Sequence, residues 1–271
     1  MSSVNRHIQS GATLIELMVG IAIGLLTIAV AIGSLMVSRG VSTAVSDVTA
    51  LQEQASYAFR IIGQQLRQAG SIRLDLASNK PDGTAIVPED VVAFETVFDT
   101  VNNSIAGLDT PPTLTMGAQA FNEPSFQDAT DPQLIRDCLR QKATLVAGTG
   151  NVRSQFTLTG GQLMCLGSTG VAQPVIRNVS AFQVTYLIQE GAILGAPTIR
   201  RVNATTAATD WTRVFGVEVC LDLIGDERID TRGNAAVDAQ YRNCAGNLVA
   251  YGSRTHMVFR NVYQLRGQGR V

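Results

Sequence analysis

The chain has 271 residues, 45% of them hydrophobic and 16% charged, with a formal net charge of −1. That length suits one sizeable domain with an accessory element, or two small domains. The balance excludes a basic surface built for nucleic acid, and two histidines (His7, His256) with no C-x-x-C pair exclude a zinc framework.

Met1 to Gly11 is a short polar leader carrying Arg6. From Leu17 to Ser38 there follow 22 residues without a charge, long enough to cross a hydrocarbon core as a helix. Arg39, Asp47 and Glu53 come next, a weak asymmetry that favours the leader on the cytoplasmic side and export of the remainder. A secretory signal cut near Ser42-Thr43-Ala44 is the rival reading. Its apolar run would be unusually long, and the helical pattern continues through the cut. Glu16 stands directly before the run, where an acid deep in lipid costs roughly 3 kcal/mol. At the helix end it either snorkels to the interface or has a partner.

The stretch Gly11-Ala12-Thr13-Leu14-Ile15-Glu16-Leu17-Met18-Val19 resembles the class III signal of type IV prepilins. The resemblance implies cleavage between Gly11 and Ala12 by the prepilin peptidase on the cytoplasmic side, then N-methylation of Ala12. The apolar helix stays on the mature protein. The family has phenylalanine where this chain has Ala12. Cleavage creates an amino group four residues before Glu16. Where such helices pack side by side, a buried carboxylate needs a cation. The amine of a neighbouring subunit supplies one, an attraction of roughly 4 kcal/mol at 4 Å and intermediate dielectric. Glu16 would then set the register between subunits.

All eight prolines lie at or beyond Pro81, so nothing of that kind breaks the first eighty residues. Val41, Ala44, Val48, Leu51, Ala55, Phe59, Ile62 and Leu66 form a stripe in steps of three and four, opposite Asp47, Glu53, Gln54, Arg60, Gln64 and Arg67. Gly70 is the expected C-cap. A helix from Thr13 to Ala69 would be about 85 Å long, more than a compact head needs. Gly20, Gly24 and Gly33 suit either close helix approach or ordinary membrane tolerance. The segment Leu51–Gly70 resembles the region after the anchor in PilW-type minor pilins, which ends leucine-arginine-x-alanine-glycine, here Leu66 to Gly70.

Beyond Gly70 the period changes to that of strands. Ser154–Leu158 and Gln162–Leu166 flank Thr159-Gly160-Gly161 as a hairpin with Cys165 on its second arm. Val179–Gln189, Trp211–Ile224 and Thr255–Leu265 are further strands, the last closing the sheet. An antiparallel sheet against the second half of the helix buries their apolar faces, giving an α+β fold. Asn79–Asp90, Asn102–Pro132 and Ile224–Asn243 read as irregular. Cys138, Cys165, Cys220 and Cys244 read as two disulfides of an exported domain. Three connectivities exist; the sequential pairs Cys138–Cys165 and Cys220–Cys244 are favoured because each closes a local loop. Asp226, Glu227, Asp230 and Asp238 raise calcium binding, but their spacing fits no EF-hand and a solvated loop is the better reading.

No P-loop, G-x-S-x-G or H-E-x-x-H occurs, His256 stands in a strand without a catalytic neighbour, and neither enzymatic activity nor a cofactor is expected. The expected organisation is a leader over 1–11, a long helix over 12–70 (12–38 for membrane and filament core, 39–70 amphipathic) and a β-rich head over 71–271. The resemblances imply a minor pilin in the initiation or tip complex of a type IV pilus, supporting adhesion and twitching motility. Its partners would be other minor and major pilins, the prepilin peptidase and the inner-membrane assembly platform, with no direct nucleic-acid binding. It would sit in the inner membrane with a periplasmic head, then in the fibre. The alternatives are a minor pseudopilin of a type II secretion system and, in another class, an anchored periplasmic enzyme.

Overall fold

In the computed structural model the described residues are 13–75, 93–94, 98–122, 133–146, 149–190, 198–228 and 240–265. The chain divides into two compact units at Val48/Thr49. One helix, α1 (Leu14–Gln68), runs through that boundary. In the first unit its residues are exposed almost throughout.

In the second unit, Leu51, Ala55, Ala58, Ile62 and Leu66 are fully buried along one face. The stripe expected from Val41 therefore becomes core only at Leu51, and Val41 and Val45 stay about 60% exposed. Gly70 ends the helix at φ +73°, which glycine tolerates best, and its N–H donates to the Gly117 carbonyl at 2.8 Å. The short strands β1 (Leu74–Asp75) and β2 (Ala93–Phe94) pair with each other, followed by a turn of helix, α2 (Thr100–Asn103).

Five antiparallel strands follow in spatial order of sequence: β3 (Ile105–Asp109), β4 (Pro112–Phe121), β5 (Thr149–Thr159), β6 (Gln162–Leu166) and β7 (Ala172–Ile176). Gly160 and Gly161 join β5 to β6 at φ +59° and +74°, the two-residue turn that a twisted hairpin prefers. The remaining strands are β8 (Val179–Glu190), β9 (Thr198–Val202), β10 (Val214–Arg228), β11 (Gln240–Arg242), β12 (Leu248–Ala250) and β13 (Arg254–Gln264). A second antiparallel sheet has the order β13-β10-β8-β9, and β11-β12 form a separate hairpin. A short helix, α3 (Ala204–Ala207), and a 3-10 turn at Trp211–Arg213 lie between β9 and β10.

The architecture is α+β: the second half of α1 and both larger sheets share one core, in which Leu114, Phe156, Leu163, Tyr186, Val217 and Leu221 are among the fully buried side chains. Gly107 packs directly on the Tyr186 hydroxyl, so no side chain fits there.

Two sequence expectations are corrected. Asn102–Pro132, read as irregular, contains β3 and β4. Its alternation is masked because Leu114, Met116, Ala118, Gln119 and Ala120 are all buried, leaving no polar face to read. The strand expected over Trp211–Ile224 starts at Val214, since the Asp210 carboxylate accepts from Thr212 N (3.0 Å) and holds a 3-10 turn before it. It also runs on to Arg228, into Ile224–Asn243, read as irregular, which holds β11 (Gln240–Arg242) as well.

Candidate assembly surface

The exposed part of α1 is a surface built for apolar surroundings. Leu17, Met18, Val19, Ile21, Ile23, Leu25, Leu26 and Ile28 are all more than half exposed. In water such a continuous face is unfavourable by about 25 cal/mol per Å² of apolar surface. Three of the hydroxyls within it are satisfied by the helix itself: Thr27, Ser34 and Thr43 donate to the carbonyls of Gly24 (2.8 Å), Ala31 (3.4 Å) and Gly40 (3.0 Å). None therefore needs water. Ideal side-chain positions at Gly20, Gly24, Gly33 and Gly40 meet nothing within 4 Å. The helix is long and apolar enough to cross a membrane once.

Its start is fixed locally. Thr13 accepts at its hydroxyl from Glu16 N (3.3 Å) and at its carbonyl from Leu17 N (3.2 Å). Thr13-x-x-Glu16 is the capping-box spacing, in which an acid three residues into a helix also complements the exposed N–H groups. That signal is present in the sequence beside the leader motif. Glu16 stands exposed in the first turn of α1. Gly11 and Ala12 lie outside the described residues.

The head has its own polar face. Along β10, Val217, Val219, Leu221 and Leu223 enter the core, while Glu218, Cys220 and Asp222 point to the opposite face and are buried too. The cover is the β11–β12 segment, tied down by the Cys220–Cys244 disulfide. Beneath it the Asp222 carboxylate accepts from the Tyr241 hydroxyl at 2.8 Å and meets His256 Nδ1 at 3.1 Å; His256 stacks on Tyr241 with ring centroids 4.7 Å apart. Burial, then the bond to Asp222, raises the Tyr241 phenol above its ordinary range. Glu218 meets Arg201 at 2.8 Å and Arg260 at 3.4 Å, and Arg260 also donates to the carbonyls of Asn243 (2.8 Å) and Cys244 (2.9 Å). A groove of about 820 Å³ opens beside this cluster, between β8, β9 and the hairpin.

These contacts make His256 a structural residue of the head, held with Asp222 and Tyr241 as a lock under the hairpin. Composition alone missed the lock, although two acids alternating with Cys220 in an apolar strand signal a polar face that must be covered. The other disulfide, Cys138–Cys165, anchors the segment before β5. Asp137 shapes the turn there, accepting from Leu139 N (2.9 Å), Gln141 N (2.8 Å) and Ser168 N (2.7 Å). Asp226 accepts from Asn178 at 2.8 Å. Asp230 and Asp238 lie outside the described residues, and among the described ones no group of three His, Cys, Asp or Glu is placed to hold a metal.

No protein-family model and no curated protein sequence matches this chain. Among solved structures it is similar to a type IV-like pilin from Thermus thermophilus, with 11% identity, a TM-score of 0.41, and 81% of this chain and 98% of that chain covered.

Proposed function

We propose that this chain is a minor pilin of a type IV pilus, made with a cleaved leader and working in the complex that starts or tips the fibre. The observation that carries the reading is α1: one helix whose charge-free first part is exposed, whose second part is core, and which has Glu16 in its first turn, shortly after the prepilin-like Gly11-Ala12 pair in the sequence. A helix of this kind suits two surroundings in turn. In the membrane its apolar side chains meet lipid; in a fibre they meet other helices, and Glu16 pairs with the new amine of a neighbour.

A head of this size, tied by two disulfides, suits a subunit used few times at a fibre end. A minor pseudopilin of a type II secretion system has the same physical requirements; the Leu66–Gly70 pattern favours the pilus, and neighbouring genes distinguish the two.

Mass spectrometry of the mature N-terminus, with and without the prepilin peptidase, tests the reading. A mature chain starting at methylated Ala12 only when the peptidase is present is the expected result. A start beyond residue 40 overturns it.

A further inference from the structure

A second groove of the head, of about 590 Å³, runs between α1, the turn at Asp137–Arg140 and β7. Gln65 lines it and is only 3% exposed. Cys138 N donates to Ser154 Oγ (3.0 Å), and that hydroxyl donates to Gln65 Oε1 (2.8 Å). Gln68 Nε2 donates to the same oxygen (2.6 Å) and to the Arg136 carbonyl (2.5 Å), which fixes both carboxamides. The Gln65 oxygen therefore faces two donors, and its Nε2 has no partner among the described residues. A buried donor of this kind takes its acceptor from whatever fills the groove.

The rim is cationic. Arg60 stacks over Tyr57, 5.7 Å from the ring centroid, which occupies one face of the guanidinium and leaves its edge N–H groups open. Arg140 stands in the left-handed region at φ +62°, where glycine fits more easily, in a turn closed by its own N–H to the Asp137 carbonyl at 2.9 Å. Neither guanidinium has a hydrogen-bond or ion-pair partner among the described residues. Asp137 is the one acid among the described residues that line the groove. Both its oxygens are taken by backbone: Oδ1 accepts from Leu139 N and Gln141 N, Oδ2 from Ser168 N. Two cations against one acid leave a single positive charge, and the open groups of Gln65, Arg60 and Arg140 are all donors. Their ligand carries one negative charge and acceptor oxygens, a carboxylate rather than a phosphate dianion. Ile61, Leu139 and Val175 line the same groove half-buried, so the carboxylate belongs to a larger body with apolar parts beside it.

We propose that this groove binds an aspartate or glutamate side chain on an apolar segment of another polypeptide, its carboxylate held by Arg60, Arg140 and the Gln65 amide. Such charge-assisted bonds are shorter and stronger than neutral ones. That the segment belongs to a fellow fibre subunit rests on the minor-pilin reading; the groove itself does not.

The test uses the full chain in detergent and two blocked pentapeptides, with valines flanking a central glutamate in one and a central glutamine in the other. NMR shifts of the Gln65 carboxamide and of the Arg60 and Arg140 Nε–H groups are the readout. The glutamate peptide shifts all three and binds at least about tenfold tighter than the glutamine peptide. Arg140→Gly relieves the left-handed backbone while removing the guanidinium, so it lowers affinity at least about tenfold and leaves thermal unfolding unchanged or higher. Arg60→Gln, on an exposed face of α1, weakens binding in the same way and keeps the helix. Equal binding of the two peptides, or binding that survives both substitutions, overturns the proposal. So does an absence of shifts with either peptide, which leaves the groove to solvent. Acetate binding as tightly as the glutamate peptide assigns the groove to a small acid and overturns the polypeptide; tighter binding of inorganic phosphate overturns the single charge. None of these results depends on leader cleavage, so a chain that binds the glutamate peptide but is not processed at Gly11 keeps this groove and loses the fibre.

Discussion

Gly63 sits mid-helix, where glycine ordinarily costs up to about 1 kcal/mol relative to alanine. Here a side chain at that position would lie 2.5 Å from the Tyr263 ring. The ring is held in place, because its hydroxyl donates to the Phe59 carbonyl at 2.7 Å and so ties β13 to α1. Gly63→Ala therefore destabilises by about 1–3 kcal/mol of overpacking, outweighing the propensity gain, measured by denaturant unfolding. The same tyrosine supplies a pH effect. Burial pushes its phenol up to about 12, above the ordinary tyrosine value of 10.0. The native state favours the protonated form, so Tyr263 contributes fully below pH 10 and loses its contribution as the pH rises to about 12. Unfolding titrations from pH 9 to 12 should show a shallower loss in Tyr263→Phe than in wild type, which is the more stable of the two at neutral pH. None of this was legible beforehand. A glycine in an apolar helix reads as tolerance until the ring opposite is known, and that ring is 200 positions away in the chain.

At the scale of elements, what could be read were the parts whose two faces differ. Residues 51–66 of α1, the Gly160-Gly161 hairpin, β8 and β13 carry alternation or helical spacing because one side is apolar and the other wet. β4 was lost because it is covered on both sides, and the polar face of β10 was lost because its cover arrives from the β11–β12 hairpin. That hairpin is a short unit with little apolar area of its own. It depends on Cys220–Cys244, on Arg260 and on the Asp222–Tyr241–His256 lock. Replacing both Cys220 and Cys244 by serine should cost about 2–4 kcal/mol and make residues 240–250 the first site of proteolysis, while α1 and the first sheet keep their protection. A second link works by charge. Asp109, at the end of β3, accepts from Ala204 N (2.8 Å) and Thr205 N (2.9 Å), capping α3. Burial alone would raise its carboxyl, but the bonds from Thr205 and Ala204 outweigh it and hold the group below the usual range. The ionised form is the one the native state favours. Its contribution is present at neutral pH and lost as the pH falls through the folded value. Asp109→Asn should cost about 1 kcal/mol at pH 7, with the gap to wild type closing in acid.

For the whole molecule the minor-pilin proposal turns on Glu16, to which it gives two physical roles that one substitution separates. It is the third residue of a helix capped by Thr13, and glutamine serves that position nearly as well as glutamate. It is also a carboxylate at the head of a charge-free run, and under the minor-pilin proposal packing among other helices would leave it needing a cation. Glu16→Gln keeps the cap and removes the charge. Circular dichroism of the detergent-solubilised chain should therefore be unchanged, and so should its insertion in the membrane. Incorporation into fibres should fall at least about tenfold, because a pair worth roughly 4 kcal/mol before desolvation is gone. Glu16→Ala loses charge and cap together and should show the same assembly defect with a slightly frayed helix start. If the glutamine variant assembles as wild type does, the acid is no more than a helix cap, and subunit register must come from the heads.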